Sequence, residues 1–130
     1  MSDHELLEGA EKAYLNAYAP YSHFRVGAAL LCESGEVYTD CNVENSSYGV
    51  SCCAERTALY KAVSEGERKF TVIAIACDGD EYPYPCGICR QALSEFGTDL
   101  RVIVGSGGEM KTFTLEELLP SGFSLMSGEQ

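Results

Sequence analysis

Apolar positions in this chain recur at two periods, and the switches between them mark the predicted elements. Leu7, Ala10, Tyr14 and Ala17 follow Ser2 and Glu5, a pair with capping-box spacing, so the first predicted helix runs from there toward Pro20, which forbids continuation. Phe24–Cys32 and Val37–Asn42 are β-rich runs around Glu33-Ser34-Gly35-Glu36 and read as a hairpin. Asn42–Cys52 is a polar loop, and Cys53–Glu65 is rich in helix formers and stops at Gly66. Phe70–Cys77 is almost continuously apolar, as a strand covered on both faces must be, and Asp78-Gly79-Asp80 closes it. Pro85 introduces a short helix, Gly87–Phe96, stopped by Gly97, and Leu100–Val104 reads as another buried strand. After a turn at Gly105–Gly108, Lys111–Phe113 is a short edge strand, and Thr114 with Glu117 repeats the capping-box spacing to open Leu115–Leu119, ended by Pro120. The predicted order, α-β-β-α-β-α-β-β-α, makes an α/β fold with a mixed sheet and helices on its faces.

The 130 residues amount to one domain, 1–130, without repeat, linker or low-complexity segment, and 45% hydrophobic content excludes wholesale disorder. Charge narrows the function further. Nine basic against 20 acidic residues leave −11, and the basic ones are scattered, so neither a phosphate backbone nor an anionic membrane surface finds a partner here. No apolar run approaches a membrane span, and Met1–Ala10 is acidic where a signal peptide is basic and then apolar, so the expectation is a cytoplasmic protein.

Seven cysteines in such a chain point to metal or thiol chemistry, and with only His4 and His23 available any metal must rest on thiolates. Cys53 begins one predicted helix, and Cys86 and Cys89 stand at the start of another. Unsatisfied N–H groups and the helix dipole favour thiolate at such positions. Together the three suit a tetrahedral Zn²⁺ with its fourth position open, where water becomes far more acidic. Arg56, one turn after Cys53, is placed to offset the sulfur charge, and Glu55 to move protons as general acid and base. Two other readings stay open on the residues alone. Cys86-Gly87-Ile88-Cys89 also fits a thioredoxin-like dithiol, and a closed structural site could recruit Cys52. Cys32, Cys41 and Cys77 fall in or beside strands and read as small buried hydrophobes.

Cys53-Ala54-Glu55 with Pro85-Cys86-Gly87-Ile88-Cys89 resembles the three-cysteine form of the zinc-dependent deaminase signature. The likeness extends through Ala19-Pro20-Tyr21-Ser22-His23-Phe24, Val26-Gly27-Ala28-Ala29, Cys41-Asn42-Val43-Glu44-Asn45, Cys53–Ala58, Ala62–Gly66, Cys86–Gln91 and Glu117-Leu118-Leu119-Pro120. Their order and spacing are similar to those of the small cytidine deaminases. That resemblance implies a three-layer fold on a five-stranded sheet, one Zn²⁺ per subunit, and hydrolysis of free cytidine and 2′-deoxycytidine to the uridine forms and ammonia in pyrimidine salvage. It implies that Phe24 packs on the pyrimidine, that Asn42 and Glu44 on one side of a strand bind the ribose 3′-hydroxyl, and that the Ala54 backbone reads the base edge. Tyr48 and Phe123 would reach a neighbouring subunit's site within a homotetramer. Without the family, Phe24 at the start of an apolar strand reads as a core residue rather than a ligand contact, Asn42 and Glu44 as solvated turn residues, and Tyr48 and Phe123 as aromatics in loops. The nearest enzymatic alternative is a blasticidin-S-type deaminase. Tyr84 stands where the family often has Ser, Ser46 where it has a small apolar residue, and Cys52 is a second thiol beside Cys53.

Overall fold

In the computed structural model, which describes residues 1–125, five strands form one mixed sheet. They are β1 (Val26–Cys32), β2 (Val37–Cys41), β3 (Phe70–Cys77), β4 (Arg101–Ser106) and β5 (Glu109–Thr114), in the spatial order β2-β1-β3-β4-β5. Only β3 and β4 run parallel, and they are the pair joined through a helix, α3 (Gly87–Ser94). β1 pairs antiparallel with both β2 and β3, and β5 closes the far edge antiparallel to β4.

Alternation along β3 divides the core. Val72, Ala74 and Ala76 face α1 (Asp3–Tyr14) with its Leu6, Leu7 and Ala10, whereas Ile73 and Ile75 face α2 (Ala54–Ser64), α3 and α4 (Leu115–Leu118) through Ala58, Leu59, Leu93 and Leu115. The result is three layers, as an almost uninterrupted apolar β3 requires. Small residues let the layers close. A Cβ at Gly27 would lie 2.0 Å from the Ala10 carbonyl oxygen, so this glycine is what brings α1 against β1.

Both capping boxes form as the spacing predicts, Ser2 with Glu5 and Thr114 with Glu117. Other boundaries move for tertiary reasons. α1 ends at Tyr14 rather than near Pro20, because Tyr18 donates its N–H to the Asn42 carbonyl and accepts from the Glu44 N–H, drawing the chain into an extended pairing with Val43. Phe24 precedes β1 instead of opening it, and β2 ends at Cys41, so Asn42 and Glu44 do not share a strand as expected. They flank Val43, whose bridges to Tyr18 and Cys52 keep that backbone extended. Within the predicted loop, Tyr48–Val50 forms one 3₁₀ turn. β5 is twice its expected length, since it pairs with β4 from Thr114 back to Glu109. Among the described residues no helix is long and apolar enough to cross a membrane.

Candidate active site

The crossover places the starts of α2 and α3 together, and three sulfurs meet there. Cys53 is the N-cap of α2, Cys86 the N-cap of α3, and Cys89 lies fully buried in the first turn of α3. Their Sγ atoms all lie within 4.8 Å of one another, with Cys53 and Cys86 3.8 Å apart. A tetrahedral zinc with bonds of about 2.3 Å spaces its sulfurs about 3.8 Å apart, so the donor set fits that ion by chemistry and by spacing. Even before a metal's charge is counted, a hydrogen bond with Cys89 and the Arg56 guanidinium hold the Cys53 thiol at about 5. The Arg56 Nη2 is 3.6 Å from the Cys53 sulfur, and its buried Nε has no hydrogen-bond partner among the described residues.

Beside the sulfurs opens a cavity of about 230 Å³, lined by Phe24, Val26, Asn42, Cys53, Ala54, Glu55, Pro83, Tyr84 and Cys86. It is of a size to admit one small heterocycle. Glu55, in the first turn of α2, is only 4% exposed, and this burial pushes its carboxyl up to about 7. A carboxyl raised to neutrality and facing a three-sulfur cluster is suited to exchange protons rather than to hold a fixed charge.

Residues 1–106 match the family model described as the cytidine and deoxycytidylate deaminase zinc-binding region. The chain belongs to this deaminase family. A cytidine deaminase from Sporosarcina psychrophila is 44% identical over 126 residues, covering 95% of this chain and 93% of its own. One from Halalkalibacterium halodurans is 46% identical and covers 92% of each. The crystal structure of cytidine deaminase from Burkholderia pseudomallei superposes with a TM-score of 0.91 at 44% identity, over 95% of this chain and all of that one. A blasticidin-S deaminase from Bacillus cereus is less similar, 32% identical over 91% of this chain and 89% of its own. A redox dithiol has no use for a third sulfur, and membership of the deaminase family removes that alternative.

Around this deaminase cavity the remaining predicted residues take different positions. Asn42 is buried at its wall, and its side chain is already engaged, donating through Nδ2 to the Phe24 carbonyl (2.9 Å) and accepting at Oδ1 from the Val26 N–H (2.9 Å). Glu44 lines an adjoining cavity of about 250 Å³ together with Asn42, Tyr48, Cys52, Cys53, Arg56 and Cys86. Its carboxylate accepts from the Tyr21 and Ser22 backbone N–H groups and from the Ser22 hydroxyl, whose hydrogen bond holds it below the usual carboxylate range. Tyr48 is 85% exposed and Phe123 65% exposed, and the Phe123 carbonyl accepts from Gln91 Nε2 at 2.8 Å.

Three wall residues of the deaminase cavity were not singled out as site residues: Val26 stands in a matching segment but is an ordinary apolar strand residue, Pro83 gives no chemical signal, and Tyr84 shows itself only as an unusual residue before Pro85. Its ring is braced edge-on by Phe113 of β5 (5.8 Å) and contacts Tyr82, which Lys111 covers at 4.5 Å. Ser46 shares a hydrogen bond of 2.7 Å with the Tyr21 hydroxyl, so the polar residue at that position serves the loop.

Proposed function

We propose that this chain deaminates free cytidine and 2′-deoxycytidine to uridine and 2′-deoxyuridine with release of ammonia, as one step of pyrimidine salvage in the cytoplasm. The observation that carries this is the buried carboxyl of Glu55 beside the Cys53–Cys86–Cys89 cluster, with Glu55, Cys53 and Cys86 on the wall of one small cavity.

Cys53, Cys86 and Cys89 hold the zinc, which supplies Lewis acidity that makes water nucleophilic near neutral pH. The chain does the rest. Glu55 takes one proton from the attacking water and gives it to N3 of the pyrimidine, then takes the second from the new C4 hydroxyl and delivers it to the amino group, so that the C4–N bond breaks, ammonia leaves and the C4 carbonyl of the uracil form remains. The Ala54 backbone at the α2 start reads the base edge. The Phe24 ring packs against the base, and Asn42 and Glu44, where the two cavities adjoin, take the ribose 3′-hydroxyl. The Glu44 carboxylate repels a nucleotide's phosphate, and a net charge of −11 disfavours polynucleotide substrates.

Purified zinc-loaded protein is expected to lower cytidine absorbance and release ammonia in equal amounts. Deoxycytidine should be accepted, cytidine monophosphate should react far more slowly, and blasticidin S should be a poor substrate. Turnover of blasticidin S with none of cytidine would overturn the proposal.

Arg56 withdraws charge from the sulfurs. With Arg56→Ala, kcat should fall about tenfold, the scale of one charge-assisted hydrogen bond. Zinc should also exchange faster with a colorimetric chelator. Unchanged turnover and zinc retention would remove that role.

The functional assembly in this proposal is a homotetramer, with Tyr48 and Phe123 of each subunit completing a neighbour's site. Tyr48, exposed on the rim of the cavity that Glu44 lines, and the exposed ring of Phe123 are better explained by a partner surface than by solvent. Sedimentation is expected to give four chains per particle, and an active monomer would refute the shared site.

A further inference from the structure

Phe24 sits outside the sheet, so its ring position cannot come from strand packing. What fixes it is a relay of hydrogen bonds. The Phe24 N–H donates to the Ser22 Oγ at 3.0 Å, and that same hydroxyl donates to the Glu44 Oε2. A serine hydroxyl has one proton to give and lone pairs to accept with, so a single atom links the two residues without competition. The other side of Phe24 is pinned as well, its carbonyl accepting from Asn42 Nδ2 at 2.9 Å. Glu44 also holds the turn itself, its Oε1 accepting from the Tyr21 and Ser22 N–H groups at 3.1 Å each.

Between these anchors lies His23 with φ of 60°, one of two non-glycine residues in the left-handed region among the described residues. Such a conformation costs free energy and persists only where its surroundings over-determine it. Here they do so on both flanks: Ser22 is tied to Glu44, and Phe24 to Ser22 and Asn42. From behind, Gly79 approaches so closely that a Cβ there would lie 3.2 Å from the Phe24 Cε1. The loop carrying Gly79 is in turn clamped by Asp78, whose carboxylate accepts from Arg25 Nε at 2.7 Å and from the Arg25 N–H at 3.2 Å.

Resting on the functional proposal above, we infer that Ser22 is a positioning residue for Phe24, joining the carboxylate assigned to the ribose with the ring assigned to the base. Ser22 touches no reacting atom. It makes the base platform depend on Glu44, so the two ends of the nucleoside are recognised through one connected loop. Removing the hydroxyl leaves the Phe24 N–H without its acceptor and lets the strained loop relax. The ring then no longer meets the pyrimidine at a set place, a loss of binding shared by ground and transition states.

The test is a double-mutant cycle on cytidine deamination with Ser22→Ala, Phe24→Ala and the pair, and Ser22→Thr as the conservative variant. Ser22→Ala should raise KM about tenfold with kcat within about twofold and thermal midpoint unchanged. Ser22→Thr should recover KM to within about threefold, and in the Phe24→Ala background Ser22→Ala should change kcat/KM less than about twofold. Equal effects in both backgrounds would overturn the inference, because Ser22 would then act by another route. Failure of Ser22→Ala to fold would overturn it too, since the hydroxyl would serve the fold instead. Absence of cytidine turnover by the wild type would instead bring down the functional proposal on which it rests.

Discussion

Glu55→Gln is expected to bind zinc at the wild-type stoichiometry and to deaminate cytidine with kcat lowered about 10²- to 10⁴-fold, the usual contribution of a positioned general acid and base. The amide matches the carboxyl in size, so the site that buries Glu55 to 4% exposure need not rearrange, and the three sulfurs keep their positions. What is lost is the proton. Burial first, and then the charge of Cys53, set the carboxyl at about 7, where it gives and takes a proton at nearly equal cost, whereas an amide does neither at any accessible pH. Metal analysis together with steady-state kinetics checks this. A variant that keeps its zinc and deaminates cytidine as fast as wild type would show that another group shuttles protons.

Removal of the metal should have the second largest effect. Exhaustive chelation is expected to abolish turnover and readdition of zinc to restore it, while Cys89→Ala should reproduce the loss irreversibly. The loss should reach stability as well, because the site joins two helix starts that lie 33 residues apart in the chain. A ligand present at a thousandfold over its Kd contributes about 4.1 kcal/mol to the folded state. For a domain of this size that corresponds to a thermal midpoint lower by on the order of 10 °C or more in the chelated protein. Scanning calorimetry with and without chelator measures it. Full activity in protein shown by metal analysis to be zinc-free would refute the metal assignment.

The site was legible in the sequence to different depths. Cys53, Cys86 and Cys89 announce themselves by residue type and by standing at helix starts, and the structure brings all three together. Glu55 is named by its place beside Cys53, but its raised carboxyl follows from burial, which no neighbouring residue in the chain reveals. Phe24 reads as the first residue of an apolar strand, yet it lies in a loop held from Asn42, 18 residues away. Asn42 and Glu44 were expected as a pair on one strand. Instead the structure gives one to the Phe24 and Val26 backbone and the other to the Tyr21–Ser22 turn. Ser22 carries no chemical signal of its own and gains significance only from the two atoms its hydroxyl meets.

By itself the sequence determined what short windows can encode. The capping boxes at Ser2 and Thr114 join atoms three residues apart, α2 is a run of helix formers stopped before Gly66, α3 follows Pro85 and stops before Gly97, and β3 must be central because it is apolar on both faces. The tertiary structure decided where helix and strand stop and which polar groups meet. Tyr18 leaves the helical path because Asn42 offers it a carbonyl, Gly27 is needed because α1 crosses there, and Glu44 finds Ser22 across 22 positions. The physical reason is one of range. Dihedral preference and local hydrogen bonds act within a turn or two of chain, whereas the partner of a loop carboxylate or amide is chosen by sheet register and helix packing, which exist only once the whole chain has folded.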